Sequence, residues 1–517
     1  MRVTDTCARP IQSPILGREG YIMLDSKYIP LFVVGFIIWI GIMIAVGYLT
    51  SRKKTSGKDF LTGGGNLGFF LVFCTVGATM IGTGSSMGAI SNGFKAGWGG
   101  AIYGLGASGG ILLMLIFTSA KKKGFLTMSE EAQYYYGGKS IMRKVMGFMM
   151  LVIEIIWLGN HMNGGATYLQ FVTNMPLALC KLITMLGFGI YVFLGGYFAV
   201  VTTDAVQFIV ILIGFVLIAI RALPLAGGYS EVKAAFDAAG NGGAMSFYGL
   251  KSYGVLAAIA LVLSTLMGVI GTPTHRTRIY TSKDEGVAKK AFLGQGILLF
   301  VWSFITAIIG MSAFAIASQK GVDIRPDHAF SFMATSALGP IVGLLFMISG
   351  LSATMSSGDS DAISGVTILM TDVYPAVTGK QIKEADYPKY SRIALVAMLF
   401  LAFFVTLFVQ NVIGYISTVV GGFLPGVAVA MLLGKLWKRV NWQGGLACII
   451  SGTILGLLNL LIPSFSSFIS SNFGGIAIPA TIVPLICGVV ISLITPEDKT
   501  SDQERLAKVF ADREGKA

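Results

Sequence analysis

The chain has 517 residues, of which 54% are hydrophobic and 12% are charged. Soluble domains carry about 25% charged residues, so these charges are too few to cover the surface of a soluble protein of this length. This composition excludes a soluble enzyme, a disordered protein and a disulfide-stabilised scaffold. The sequence therefore predicts an all-α integral membrane protein with many spans.

Thirteen segments are long and apolar enough to cross a bilayer, which takes about 20 residues. In chain order they are 29–50, 66–90, 97–119, 142–171, 176–195, 198–222, 253–272, 289–317, 338–373, 391–410, 411–436, 443–463 and 476–496. Residues 1–28 are expected outside the cell. They lack the apolar core of a signal peptide, and a start at Met23 is an open alternative. Residues 497–517 form a charged tail, expected in the cytoplasm.

The basic residues predict the orientation. With residues 1–28 outside, 27 of the 38 lysines and arginines fall in inner loops, as the positive-inside rule requires. Arg276 and Arg278, after the seventh segment, are counted among them. The net charge of +13 is thus explained without a nucleic-acid partner, and the protein is expected in the cell membrane with its C-terminus in the cytoplasm.

Two of the segments are interrupted by helix-weakening residues. Segment two is glycine-rich from Gly77 to Gly84, and segment seven ends with Gly268, Gly271 and Pro273. The two segments lie five apart and have opposite predicted topology. This pattern indicates an inverted repeat with broken helices at the membrane midplane, although glycine-mediated helix packing is the alternative.

Ionisable side chains at bilayer depth are costly, about 2.5–3.5 kcal/mol each, and therefore indicate function. The candidates are Glu154, His161, Asp204, Asp359 and Asp361. Asp204 follows Thr202 and Thr203 near the inner start of segment six. It is either an interfacial carboxylate favoured by the helix dipole or part of an oxygen-rich cation site.

Segment nine carries a polar cluster around Asp359. Ser356 and Ser360 are four residues apart. Ser357 and Asp361 have the same spacing, so a helix places these side chains on neighbouring faces. Hydroxyl, carboxylate and carbonyl oxygens bind hard cations, and Ca²⁺ would need more carboxylates than these. The cluster predicts a sodium site.

Glu154, Trp157 and His161 lie on one face of segment four, close to mid-membrane by helical rise. Two interpretations stay open: a substrate-facing acid with an aromatic wall, which would favour an amine or zwitterion, or a buried hydrogen-bonded pair. No lysine or arginine lies at mid-membrane depth in segments two, four or seven, which argues against a simple anion as substrate.

Four motifs resemble the sodium:solute symporter family. They are Gly63 to Gly68, Gly195 to Gln207, Ala353 to Ser360 with Thr371 to Tyr374, and Pro425 with Leu436 to Asn441. The resemblance implies a LeuT-like core of five-plus-five inverted repeats, 66–222 and 253–436. One extra helix, 29–50, precedes this core and two, in 443–496, follow it. It also implies sodium-coupled symport of a small organic solute by alternating access, carried out by a monomer.

The resemblance also implies site residues. The conserved-type sodium site would use the carbonyls of Ala78, Ile81 and Ala353 with the hydroxyls of Ser356 and Ser357. A second sodium site would use Asp204, Ser356, Asp359 and Ser360, unless Asp359 binds a proton. Candidate substrate residues are Thr79, Met80, Ser85, Glu154, Trp157, His161, Thr272 and Tyr415.

The solute class stays open among amino acids, amines, sugars and carboxylates. Met80 stands where proline-type relatives have an aspartate, and the glutamine usual before Pro273 is absent, so proline is not the expected substrate. A passive uniporter or channel and a sodium-linked sensor are the alternative functions. An enzyme is not expected, because no catalytic cluster is evident.

Overall fold

A computed structural model describes residues 24–51, 61–336, 339–408 and 412–515. Within these ranges the chain is helical and contains no β-strand. The predicted start at Met23 and almost all of the N-terminal segment lie outside the described residues. The main helices are α1 (Ile29–Ser51), α2 (Phe69–Met80), α3 (Ala89–Ala96), α4 (Ala101–Leu113), α5 (Met128–Tyr135), α6 (Ser140–Thr173), α7 (Leu177–Leu225), α8 (Tyr229–Ala238), α9 (Val255–Gly271), α10 (Pro273–Thr281), α11 (Glu285–Gln319), α12 (Ala329–Ser336), α13 (Pro340–Ile368), α14 (Tyr387–Thr406), α15 (Gly421–Leu436), α16 (Trp442–Leu461), α17 (Pro463–Phe473), α18 (Ala477–Ile494) and α19 (Asp502–Glu514).

The helices form a multi-pass membrane protein. In the described ranges, nine helices are long and apolar enough to cross a membrane, or ten if the bent pair Phe247–Tyr253 and Val255–Gly271 is one span. Large apolar side chains such as Ile37, Ile220 and Phe404 are exposed on its surface, as expected where a helix faces lipid. The number thirteen stays a prediction.

Both predicted interruptions are present in the structure. Helix α2 ends at Met80, and Ile81 leaves the helical conformation with φ −86° and ψ 59°. Helix α9 ends at Gly271, Thr272 is extended, and α10 begins at Pro273. Proline is favoured at a first helical position because the N–H it lacks would be unpaired there. The backbone is therefore unwound at corresponding places in the two predicted repeats.

Helix α7 contains both the fifth and the sixth predicted segments, 176–195 and 198–222. They meet at Gly196, whose φ of 63° and ψ of −165° lie where only glycine is comfortable. The kink separates the two spans and begins the half of α7 that carries Asp204.

Helix α13 is the central polar element. It packs against α6, α7 and α2, and from Ser349 to Ile368 every residue is buried. The serines and aspartates of its middle turns are therefore enclosed by protein and face neighbouring helices instead of lipid.

The prediction that Arg276 and Arg278 lie in an inner loop is wrong, because both belong to a buried helix. All nine residues of α10 are buried, and both arginines are at most 1% exposed. The reason is the broken helix itself, because the chain continues into the protein after the interruption at Thr272 and does not leave it.

Candidate functional site

The two serines of α13 contact the carbonyl groups at the end of α2. Ser356 Oγ donates to the Ala78 carbonyl at 3.0 Å. Ser357 Oγ lies 2.9 Å from the Thr79 carbonyl and 3.2 Å from that of Ala353. Hydroxyl and carbonyl oxygens from two helices thus converge at the unwound backbone. This oxygen-only set suits a monovalent hard cation.

Four of the five residues of the predicted sodium site are thereby in contact, namely Ala78, Ala353, Ser356 and Ser357. Ile81, the fifth, is the first residue beyond α2, and its N–H donates to the Gly77 carbonyl at 2.8 Å. The Thr79 carbonyl is an oxygen that the sequence did not single out.

Gly82 allows these elements to approach closely. A Cβ at this position would lie 2.5 Å from Ser357 Oγ and 2.7 Å from His161 Cε1, and both distances are shorter than real contacts. The next residue, Thr83, has its hydroxyl 2.9 Å from His161 Nδ1. The unwound segment therefore joins the serine pair on one side to His161 on the other.

Asp204 forms an ion pair with Arg278, a residue that the sequence predicts in an inner loop. Arg278 Nη2 lies 3.5 Å from Asp204 Oδ2, 2.5 Å from Ser360 Oγ and 3.1 Å from Thr79 Oγ1. Asp204 Oδ2 also accepts from Thr75 at 2.5 Å and from Ser360 at 3.2 Å. A guanidinium thus contacts two members of the predicted second sodium site. It also supplies a positive group beside Thr79, so the argument against an anionic substrate from missing basic residues does not hold.

A small cavity adjoins the breaks, with a volume of about 40 Å³. Six of the eight predicted substrate residues line it: Thr79, Met80, Ser85, Trp157, His161 and Thr272. Trp157 Nε1 donates to Thr272 Oγ1 at 3.0 Å, and the Trp157 ring stacks on His161 with centroids 6.1 Å apart. The hydrogen bond links α6 to the unwound residue before α10, and the ring stack lies within α6.

Glu154 and Tyr415 do not line this cavity. Tyr415 points its hydroxyl to the Ile156 carbonyl at 2.9 Å, which serves helix packing. Glu154 is fully buried behind the wall and accepts hydrogen bonds from Thr274 and Ser364, each at 2.6 Å.

The lining residues that were not predicted as site residues include Tyr103, His275 and Asp361. Asp361 was recognised only as a costly buried charge. Its Oδ1 lies 2.9 Å from the Thr274 hydroxyl oxygen, and its Oδ2 lies 3.2 Å from His161 Nε2. Its cost at bilayer depth was the signal that could have added it to the site.

Helix α5, between the spans, contacts the buried α10 through one ion pair and helices α6 and α19 through two others. Glu131 contacts Arg276 at 3.3 Å, while Glu130 contacts Arg143 at 3.1 Å and also pairs with Arg513 of α19. Burial alone would raise the pKa of Glu130, but the two guanidinium groups outweigh it and bring the pKa below its ordinary value. The carboxylate is therefore charged at neutral pH.

Two broken helices that meet at a cavity inside a helical bundle define a secondary transporter. The model of the sodium:solute symporter family matches residues 60–452. The chain belongs to this family, and it is a sodium-coupled symporter of a small organic solute.

Relatives and a solved structure support this assignment. The osmoregulated proline transporter OpuE of Bacillus subtilis (strain 168) is 23% identical over 469 residues, covering 88% of this chain and 92% of that protein. The sodium/pantothenate symporter of Haemophilus influenzae is 25% identical over 301 residues, covering 56% and 60%. A solved structure of a Na⁺-coupled sialic acid symporter has a TM-score of 0.72 at 15% identity, covering 91% and 99%. The shared fold confirms the predicted fold class.

Proposed function

We propose that sodium binds where α13 meets the unwound end of α2, and that the solute binds in the adjoining cavity. The observation that carries this proposal is the contact of Ser356 and Ser357 with carbonyls of Ala78 and Thr79. A sodium ion there would take these oxygens as ligands in place of their hydrogen bonds to one another.

Coupling follows from what the ion would bridge. Sodium held by both helices fixes the unwound segment, which includes Gly82 and Thr83. Thr83 in turn contacts His161 of the cavity wall. Bound sodium therefore raises the affinity of the ordered wall for the solute. The bound solute raises the affinity for sodium by the same factor, because coupling between two sites is reciprocal. The loaded protein then changes between outward and inward access.

We propose one sodium ion per cycle. The site predicted from Asp204, Ser356, Asp359 and Ser360 already has a positive charge close by, since Arg278 contacts both Asp204 and Ser360. A second cation beside this guanidinium would meet charge repulsion at low dielectric.

We propose the following architecture from the two helix interruptions and the family membership. Residues 66–222 and 253–436 form the two five-helix repeats, with 29–50 before them and 443–496 after them. The protein works as a monomer in the cell membrane, with its N-terminus outside and the tail 497–517 in the cytoplasm.

The proposal predicts that solute stabilises the protein only when sodium is present. Thermal unfolding of the purified chain is measured with amino acids, sugars, polyols, amines and carboxylates, each in NaCl and in KCl. The transported solute is expected to raise the unfolding temperature in NaCl alone, since a ligand stabilises the state that it binds. Equal shifts in both salts would contradict sodium coupling.

A further inference from the structure

Two buried carboxyl groups lie close together at the cavity, Asp361 in its lining and Glu154 behind it. The hydroxyl of Thr274 lies 2.6 Å from Glu154 Oε1 and 2.9 Å from Asp361 Oδ1, so it bridges the two acids. Ser364 adds a bond of 2.6 Å to the same oxygen of Glu154. Glu154 is 0% exposed and Asp361 is 2% exposed. Three helices, α6, α10 and α13, therefore bring this pair together.

The pair differs from other buried acids in its partners. Glu131, Asp204 and Asp372 each contact an arginine, at 3.3, 3.5 and 2.8 Å. Glu154 and Asp361 contact hydroxyls and His161 instead, and Glu154 Oε2 is buried without a hydrogen-bond partner among the described residues. Among the described residues, the pair is therefore an acceptor site with no direct arginine contact.

The nearby basic groups do not neutralise it. Thr83 N–H points at His161 Nδ1, at 3.5 Å, so Nε2 carries the hydrogen and donates to Asp361 as a neutral ring. Arg278 is engaged by Asp204. The third basic group, His275, is another residue of the cavity lining, and no contact of it with either acid is seen among the described residues.

Two acids that are bridged by one hydroxyl at low dielectric do not both ionise, and one retained proton leaves a single negative charge on the pair. Asp361 is the member that lines the cavity, as do the aromatic residues Trp157 and Tyr103. A carboxylate next to aromatic rings is a suitable environment for an organic ammonium group, which gains an ion pair and cation–π contacts.

We propose that the Glu154–Asp361 pair binds the protonated amino group of the transported solute, which is an amine or an amino-group zwitterion. This inference rests on the proposed function, because it places the solute in the same cavity. Asp361 contacts the ammonium group, Glu154 supports Asp361 through Thr274, and His161 orients it.

The test uses probes that match in size and differ in charge. Ethanolamine, ethylene glycol and glycolate form one set. Phenethylamine, 2-phenylethanol and phenylacetate form a larger set, and L-alanine serves as the zwitterion. Thermal unfolding of the full chain is measured with each probe in NaCl and in KCl. The amines or L-alanine are expected to stabilise the protein in NaCl, and the neutral and anionic members are not.

Variants locate the effect. Asp361→Asn is expected to weaken the apparent affinity for the amine about tenfold or more while keeping the stabilisation by sodium alone, and Glu154→Gln is expected to act in the same direction. Thr367→Val is the matched control, because Thr367 is on the same helix and its hydroxyl bonds to the carbonyl of Ile363. If one acid variant fails to fold, the other and the wild-type probe series still decide.

The outcomes separate the two proposals. Stabilisation by sodium with no response to any amine or to L-alanine overturns the ammonium site and leaves the proposed function intact. Equal or larger shifts from neutral or anionic members do the same. A protein that is indifferent to sodium, with and without every probe, overturns the proposed function itself.

Discussion

Arg278→Gln is expected to lower the thermal stability of the protein more than any other single change considered. Asp204 would keep its hydrogen bonds from Thr75 and Ser360 but lose its only described ion pair. Breaking a buried ion pair by removing one partner costs about 3–5 kcal/mol, because the remaining charge is left buried. Thermal unfolding in KCl, without solute, measures this loss.

A double variant that also changes the partner of Arg278 provides the control. Asp204→Asn combined with Arg278→Gln removes both charges and is expected to recover more than half of the lost stability. Sodium gives a second readout: without the guanidinium, Asp204 and Ser360 are open to a cation, so NaCl is expected to stabilise Arg278→Gln more than it stabilises the wild type. Losses that simply add in the double variant would show that the two residues do not act as a pair.

Ser357→Ala is expected to weaken sodium-dependent transport most directly. Its hydroxyl is within 3.3 Å of the carbonyls of Ala78, Thr79 and Ala353, so its loss removes one proposed ligand from the centre of the site. An interaction with a charged group is worth about 1.5–3 kcal/mol, or roughly tenfold to hundredfold in affinity. The sodium concentration for half-maximal uptake is expected to rise by that factor.

Ser349→Ala is the matched control for this change. Ser349 is also buried on α13, but among the described residues its hydroxyl bonds only to the carbonyl of Phe346 in its own helix. Its sodium dependence is expected to equal that of the wild type. An unchanged sodium dependence in Ser357→Ala would place the ion elsewhere.

The sequence predicted correctly those features that depend on residues close together in the chain. Glycine and proline mark both helix interruptions, so Ile81 and Thr272 are found where the pattern predicts unwound backbone. The serines of α13 were recognisable because their spacing places them on neighbouring faces. Each of these inferences needs only residues within one or two helical turns.

The sequence did not predict contacts between side chains that are far apart in the chain. Arg278 looked like a loop residue because the stretch after Pro273 is polar, and its pairing with Asp204 joins positions 74 residues apart. Asp361 was visible as a costly charge, but the contact of Thr274 with both Asp361 and Glu154 depends on three separate helices. The sequence shows that a side chain is polar. Only the fold shows whether a partner offsets the free-energy cost of burying it.

The most direct test of sodium-coupled symport is uptake into proteoliposomes of the solute that stabilises the protein in sodium. An inward sodium gradient with an inside-negative potential is imposed, and 100 mV adds about 2.3 kcal/mol per charge moved. The solute is predicted to accumulate transiently above its external concentration, and replacing sodium by potassium abolishes this accumulation. Equilibration without accumulation in either salt would contradict symport and favour a uniporter or channel, and binding without any uptake would favour a sensor.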